Sequence, residues 1–154
     1  MKRFLMVALA LVLCLGFSAC GQIEDANGEE DTALATLDKQ ALLAQMPSSF
    51  EMGSVRTTKD GVTQWSIRKF SGVKVLETCT VAKGARSVEF AVGSELEQGN
   101  LYVYVYKDGA IVSDLSIGKG SSLTIEFPAA GEYELRVAGE SAAFSMTYSI
   151  TVSE

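Results

Sequence analysis

Three tyrosines alternate with aliphatic residues in the run Leu101-Tyr102-Val103-Tyr104-Val105-Tyr106. With Leu101, Val103 and Val105 facing a core, the period of two puts Tyr102, Tyr104 and Tyr106 on the opposite face of one strand, their rings about 7 Å apart. Tyrosine joins an apolar ring to a polar tip, which suits sugar rings, peptides and protein interfaces. These three are the candidate ligand-binding residues, forming a flat aromatic strip. Trp65 is a further aromatic, and the sequence does not assign its face. A closed alternative stands beside the strip. Tyrosine favours strands in any setting, and a helix elsewhere in the chain can cover the face and make the tyrosines a second small core.

Other reactive chemistry is sparse. The chain has no His, which removes the commonest general base and metal ligand. Cys79 shares the apolar phase of a strand with Val75 and Val81; without a base nearby a thiol does not become a nucleophile, so it reads as core. Glu95/Glu97 and Glu132/Glu134 put paired carboxylates on one side of a strand, at a spacing of about 7 Å that falls in the range used for glycoside hydrolysis. On a wet strand face that is also the default arrangement of solvated acids. Asp60, Asp108, Asp114 and the Glu95–Glu97 loop offer oxygen ligands of the kind calcium takes, but no D-x-D-x-D-G spacing is present. Neither G-x-x-x-x-G-K-S/T nor G-x-G-x-x-G occurs. The expectation is a non-enzyme with no metal site and no cofactor.

A scaffold for the tyrosines emerges from about residue 54, where apolar residues recur at every second position. The runs are Val73–Val81, Val88–Val92, Leu101–Val105, Leu115–Ile117, Leu123–Phe127, Tyr133–Val137 and Phe144–Val152. The intervening positions are mostly polar, as in sheets with one buried and one wet face. Asp60-Gly61 and Asp108-Gly109 read as two-residue hairpin turns. Gly84, Gly93, Gly99, Gly118, Gly120, Gly131 and Gly139 mark most other breaks. Roughly eight or nine short strands at this spacing predict an all-β fold, an antiparallel, jelly-roll-like β-sandwich over residues 48–154. Residues 33–47 precede it as a short amphipathic helix, with Leu34, Leu37, Ala41 and Ala44 on one face, Thr32 or Asp31 as cap and Pro47 as its stop.

The C-terminal run LTIEFPAAGEYELRVAG at 123–139, followed by FSMTYSITV at 144–152, resembles small bacterial sandwich domains of the pre-peptidase C-terminal type. The shared pattern is a strand, a Pro/Gly turn and then G-x-Y-x-L-x-V, here Gly131, Tyr133, Leu135 and Val137. The resemblance implies a non-catalytic sandwich that accompanies a secreted protein.

The first residues read as an address. Lys2 and Arg3 precede an uncharged run from Phe4 to Phe17, shorter than the roughly 18 residues that favour a spanning helix. A signal-anchor that stays in the membrane is the alternative to a cleaved signal. Phe17-Ser18-Ala19-Cys20 resembles the lipobox of bacterial lipoproteins, with Phe where the family usually has Leu. That resemblance implies a signal peptide over 1–19 and lipidation of Cys20. Two or more acyl chains, at about 0.8 kcal/mol per buried CH₂, hold a protein stably to a bilayer. Residues 20–32 follow as an acidic, flexible tether.

Charge and length agree with this layout. The 154 residues carry 13 basic and 19 acidic side chains, a net charge of −6, which argues against nucleic acid. Loss of residues 1–19 leaves 11 basic against 19 acidic residues, and five of those acids fall between residues 22 and 32. The sequence thus points to a protein lipid-anchored in the bacterial cell envelope, outside the cytoplasm, with a membrane contact through Cys20. Its domain is expected to bind an envelope glycan or another envelope ligand. The alternative is an assembly lipoprotein that docks a protein partner through its helix or a sheet edge.

Overall fold

The computed structural model describes residues 38–154. The expected signal peptide (1–19), Cys20 with its tether (20–32) and residues 33–37 of the expected helix lie outside the described residues. The chain then runs α1 (Lys39–Ala44), β1 (Ser48–Met52), β2 (Val55–Lys59), β3 (Val62–Val81), β4 (Ser87–Lys107), β5 (Ala110–Leu115), β6 (Ser121–Glu126) and β7 (Gly131–Ser153). Every strand pairing is antiparallel. The chain is an all-β protein with one short helix, as the period of two predicts. Among the described residues no helix is long and apolar enough to cross a membrane.

Among the described residues the strands number seven, not eight or nine, and the difference lies in three of them. β3, β4 and β7 span 20, 21 and 23 residues, several times the usual strand length of about 5–6. The glycines at 93, 99 and 139 read as strand ends in the sequence, yet Gly93 and Gly139 are paired within the ladders and Gly99 sits in a bulge inside β4. The strands bend at bulges instead. Register shifts fall between Ile67 and Phe70 and between Phe70 and Gly72 in β3, and from Leu96 through Gln98 to Asn100 in β4. Bulges of this kind let one strand pass from one layer of a sandwich to the other.

The strand order is β1-β3-β7-β4-β5, with β2 on β3 and β6 on β4. Beyond the bends the partners change, so one continuous sheet makes two layers. The first layer holds β2, the start of β3, the end of β7, the start of β4 and β6. The second holds β1, the end of β3, the start of β7, the end of β4 and β5. One core lies between them. Trp65, Phe90 and Phe144 enter it from the first layer and Val81, Val103 and Leu135 from the second, all at most 1% exposed. Tyr148 Oη donates across the layers to the Leu76 carbonyl at 3.4 Å.

The turns follow local chemistry. Asp60-Gly61 and Asp108-Gly109 carry positive φ at both residues, as two-residue hairpins need. Asp38 caps α1, its Oδ1 accepting from the Gln40 amide at 2.9 Å, and the expected caps Thr32 and Asp31 lie outside the described residues. Gln45 is already extended ahead of Pro47.

The bend in β4 depends on Gly99. Its φ is +78°, and a Cβ there would lie 2.4 Å from the Ser141 carbonyl oxygen. Gly84 also has positive φ, +95°, but faces open space. Gly84→Ala should cost about 1–2 kcal/mol, the left-handed strain alone. Gly99→Ala should cost clearly more, because the strain is joined by a backbone clash. Urea unfolding of the two variants checks the order; equal costs would count against the bend as described.

Candidate functional site

The tyrosines are placed by the strand phase and then covered. Leu101, Val103 and Val105 are fully buried in the main core, which puts Tyr102 and Tyr104 on the outer face of the second layer. That face is closed. Leu42 of α1 packs on Tyr102 and Tyr104, with Val73 and Ala138 beside them. Tyr102 is 2% exposed and Tyr104 fully buried. Their rings stack on each other at 5.1 Å and 22°. Lys39 lies over the Tyr102 ring and forms an ion pair with Asp114 at 2.8 Å. Tyr106 is half-buried, with the Arg136 guanidinium 3.6 Å from its ring centre.

The expected open strip is therefore a second small core, the closed alternative of the sequence reading. The physical reason is the apolar face of α1, which finds its burial on the nearest uncovered tyrosines. Burial pushes both phenols above their ordinary pKa. Among the described residues neither hydroxyl has a hydrogen-bond partner.

A concave groove of about 900 Å³ lies instead on the outer face of the first layer. Two rungs of the ladder form its floor. One runs Thr57, Gln64, Thr147, Gly93 across four strands; the other runs Val55, Ser66, Ser145, Glu95. Trp65, Met146 and Val92, which alternate with these residues, point into the core. The central positions are small, and Ser149 and Ala91 extend them by a further step. On one side β2 supplies a wall. On the other the loop between β5 and β6 is tied to β4: the Ser94 amide donates to the Gly118 carbonyl at 2.8 Å, and the Gly118 amide donates to Ser94 Oγ at 3.2 Å. Glu95 and Lys119 are the charged residues of the lining. The volume falls within the span of small-molecule sites, about 300–1,000 Å³.

No family model matches the chain, and no curated protein matches it. Among solved structures, one described as "CBM4 structure and function" is similar at 9% identity, with a TM-score of 0.35, over 66% of this chain and 77% of that one. A TM-score of that size carries no argument about ligand, and the reading below rests on the groove.

The other candidates are placed apart from one another. Glu95 lines the groove and Glu97 is exposed beside it. Glu134 pairs with Arg136 at 2.5 Å, while Glu132 faces solvent. Asp108 pairs with Lys107 and Asp114 with Lys39. Among the described residues no three His, Cys, Asp or Glu side chains converge as a metal site would need. Cys79 is half-buried against the main core, and burial together with Glu77 pushes its thiol pKa up, away from the thiolate. The sequence reading missed the groove because its lining is the polar phase of the strands. The signal was present in Ser145-Met146-Thr147-Tyr148-Ser149, whose wet positions are all small hydroxyls.

The orphan hydroxyls give a sharp expectation. Tyr104→Phe keeps the ring and removes the unpartnered group, so stability should hold or rise. Tyr104→Ala should cost about 3–5 kcal/mol as a large-to-small core change. A loss above about 1 kcal/mol for Tyr104→Phe would mean that the hydroxyl has a partner.

Proposed function

We propose that this chain is a lipid-anchored protein of the bacterial cell envelope, held by acyl chains on Cys20, whose β domain is a non-catalytic module that binds an envelope glycan in the first-layer groove. The observation that carries the binding reading is the groove itself. It is an open trough that crosses four strands, with hydroxyl side chains at alternate positions along β7. Serine and threonine hydroxyls both donate and accept, so a row of them matches a chain that is itself rich in hydroxyls. Val55 and Val62 on the β2 side offer apolar surface to the C–H faces of sugar rings. Trp65 and Tyr148 border the groove but turn their rings to the core. Recognition is then by hydrogen bonding and shape, without aromatic stacking. The lipid anchor rests on the Phe17-Ser18-Ala19-Cys20 segment and its resemblance to the lipobox.

Docking of a protein partner is the second reading, and one observation favours one of its forms. The apolar face of α1 is occupied by the tyrosines, which leaves the exposed β1–β2 edge as the route.

The test uses the full chain in detergent, titrated with polysaccharide purified from bacterial envelopes. Thr147→Trp fills the groove from an exposed floor position and should weaken binding at least tenfold. Tyr106→Ala, on the other layer, should leave binding unchanged. Equal binding by the wild type and Thr147→Trp would remove the groove as the site. Mass spectrometry of the N-terminal peptide tests the anchor: it should begin at Cys20 and carry the added mass of acyl chains, whereas an unmodified Cys20 with residues 1–19 still attached would argue for a signal-anchor instead.

A further inference from the structure

The β1–β2 edge leaves an apolar row in water. Among the described residues both strands pair with β3 alone, which leaves their outer backbone groups to pair with another strand. Phe50, Met52 and Val55 are 58%, 52% and 65% exposed. The two strands follow each other along one edge, broken only at Gly53 and Ser54. The opposite edge is interrupted by the loop tied to Ser94, and cannot pair along its length.

The order of residues along this edge is self-complementary. We propose that two copies of this chain pair antiparallel along β1–β2, about a two-fold axis between Gly53 and Ser54. In that register Glu51 lies opposite Arg56 of the second copy, Met52 opposite its Val55, Phe50 opposite its Thr57 and Ser48 opposite its Lys59. The faces agree as well as the charges. Glu51 and Arg56 sit beside Phe70 and Trp65 of β3 on the core side, whereas Met52 and Val55 sit beside Lys69 and Ser66 on the outer side. A slip of one residue mixes the two faces. A slip of two sets Arg56 against Ser49 and Glu51 against Ser54, losing the opposite charges.

Within one copy Glu51 pairs with Lys74, and Arg56 lies 4.9 Å over the Trp65 ring. Charges turned inward at an edge repel casual strand pairing. Against a second copy in this register they become complementary, so the same residues reject other edges and accept this one. The contact is isologous, as a two-fold dimer requires. It sets the second copy along the β2 wall of the groove, at Val55 and Thr57, and leaves the rest of the floor open; the dimer is read by sedimentation and cross-linking without glycan, so its failure is distinguishable from failure of the binding reading.

Sedimentation of the full chain in detergent tests the interface. The wild type should be a dimer, and Val55→Lys, at an exposed outward position, should shift it to monomer with unchanged thermal unfolding of the isolated copies. A second arm reads the register by oxidative cross-linking. Met52→Cys with Val55→Cys should give a reducible dimer well ahead of both the parent chain and the slipped pair Phe50→Cys with Val55→Cys. A wild type that stays monomeric at about 0.1 mM, weaker than a dissociation free energy of about 5–6 kcal/mol, overturns the proposal. So does a dimer that Val55→Lys leaves intact, or cross-linking that favours the slipped pair.

Discussion

Trp65, Phe70 and Phe144 meet edge to face, at centroid distances of 5.6, 5.0 and 5.9 Å, where the sheet folds from one layer into the other. The rest of the molecule depends on this corner. Edge-to-face contacts align the positive rim of one ring with the negative face of the next, and they fix ring orientation as well as burial. Phe70 occupies the bulge of β3, and it leaves so little room that a Cβ on Gly139 would lie 2.5 Å from its Cδ1. Three long strands can therefore bend together while their ladders continue. If they ended there, the protein would need separate strands and additional loops to make the same two layers.

The bend gives the two outer faces different fates. The second-layer face carries large aromatics and sits under α1, which has Leu42 to bury. The first-layer face carries serine, threonine, alanine and glycine, and the described residues leave it open. Small polar side chains on a curved sheet make a trough, because neither bulk nor a covering helix fills the concavity. The inter-strand loop tied to Ser94 deepens it on one side. The aromatic residues that first drew attention serve packing, and the inconspicuous ones line the cavity.

Much of the fold was legible because period two is a direct consequence of strand geometry. The phase of Leu101, Val103 and Val105 gave the buried face, and the phase of Leu135 and Val137 did the same. The Asp-Gly turns were legible because few residue pairs accept positive φ twice. The strand count was not. A glycine in a strand can end it or let it bend, and the two differ only by whether a neighbouring strand presses on the backbone, as Ser141 does at Gly99. At the start of α1, aspartate suits a cap by type, and the extended backbone at Asp38 is what lets its side chain take that role.

The candidate site divides along the same line. Within an unbroken stretch of strand the sequence determined which residues share a face, because side-chain alternation is local; the register shift between Val75 and Glu77 breaks that phase, so Val73 joins the tyrosine cluster while Val81 joins the main core. By itself the sequence determined that Tyr102, Tyr104 and Tyr106 oppose the core, and that Cys79 belongs with it. Only the tertiary structure decided which face is covered and which is concave. Coverage depends on where a helix some sixty residues away comes to rest, and concavity depends on how three strands bend together. Both are set by contacts between segments remote in sequence, whose free energies appear only when the chain has closed on itself.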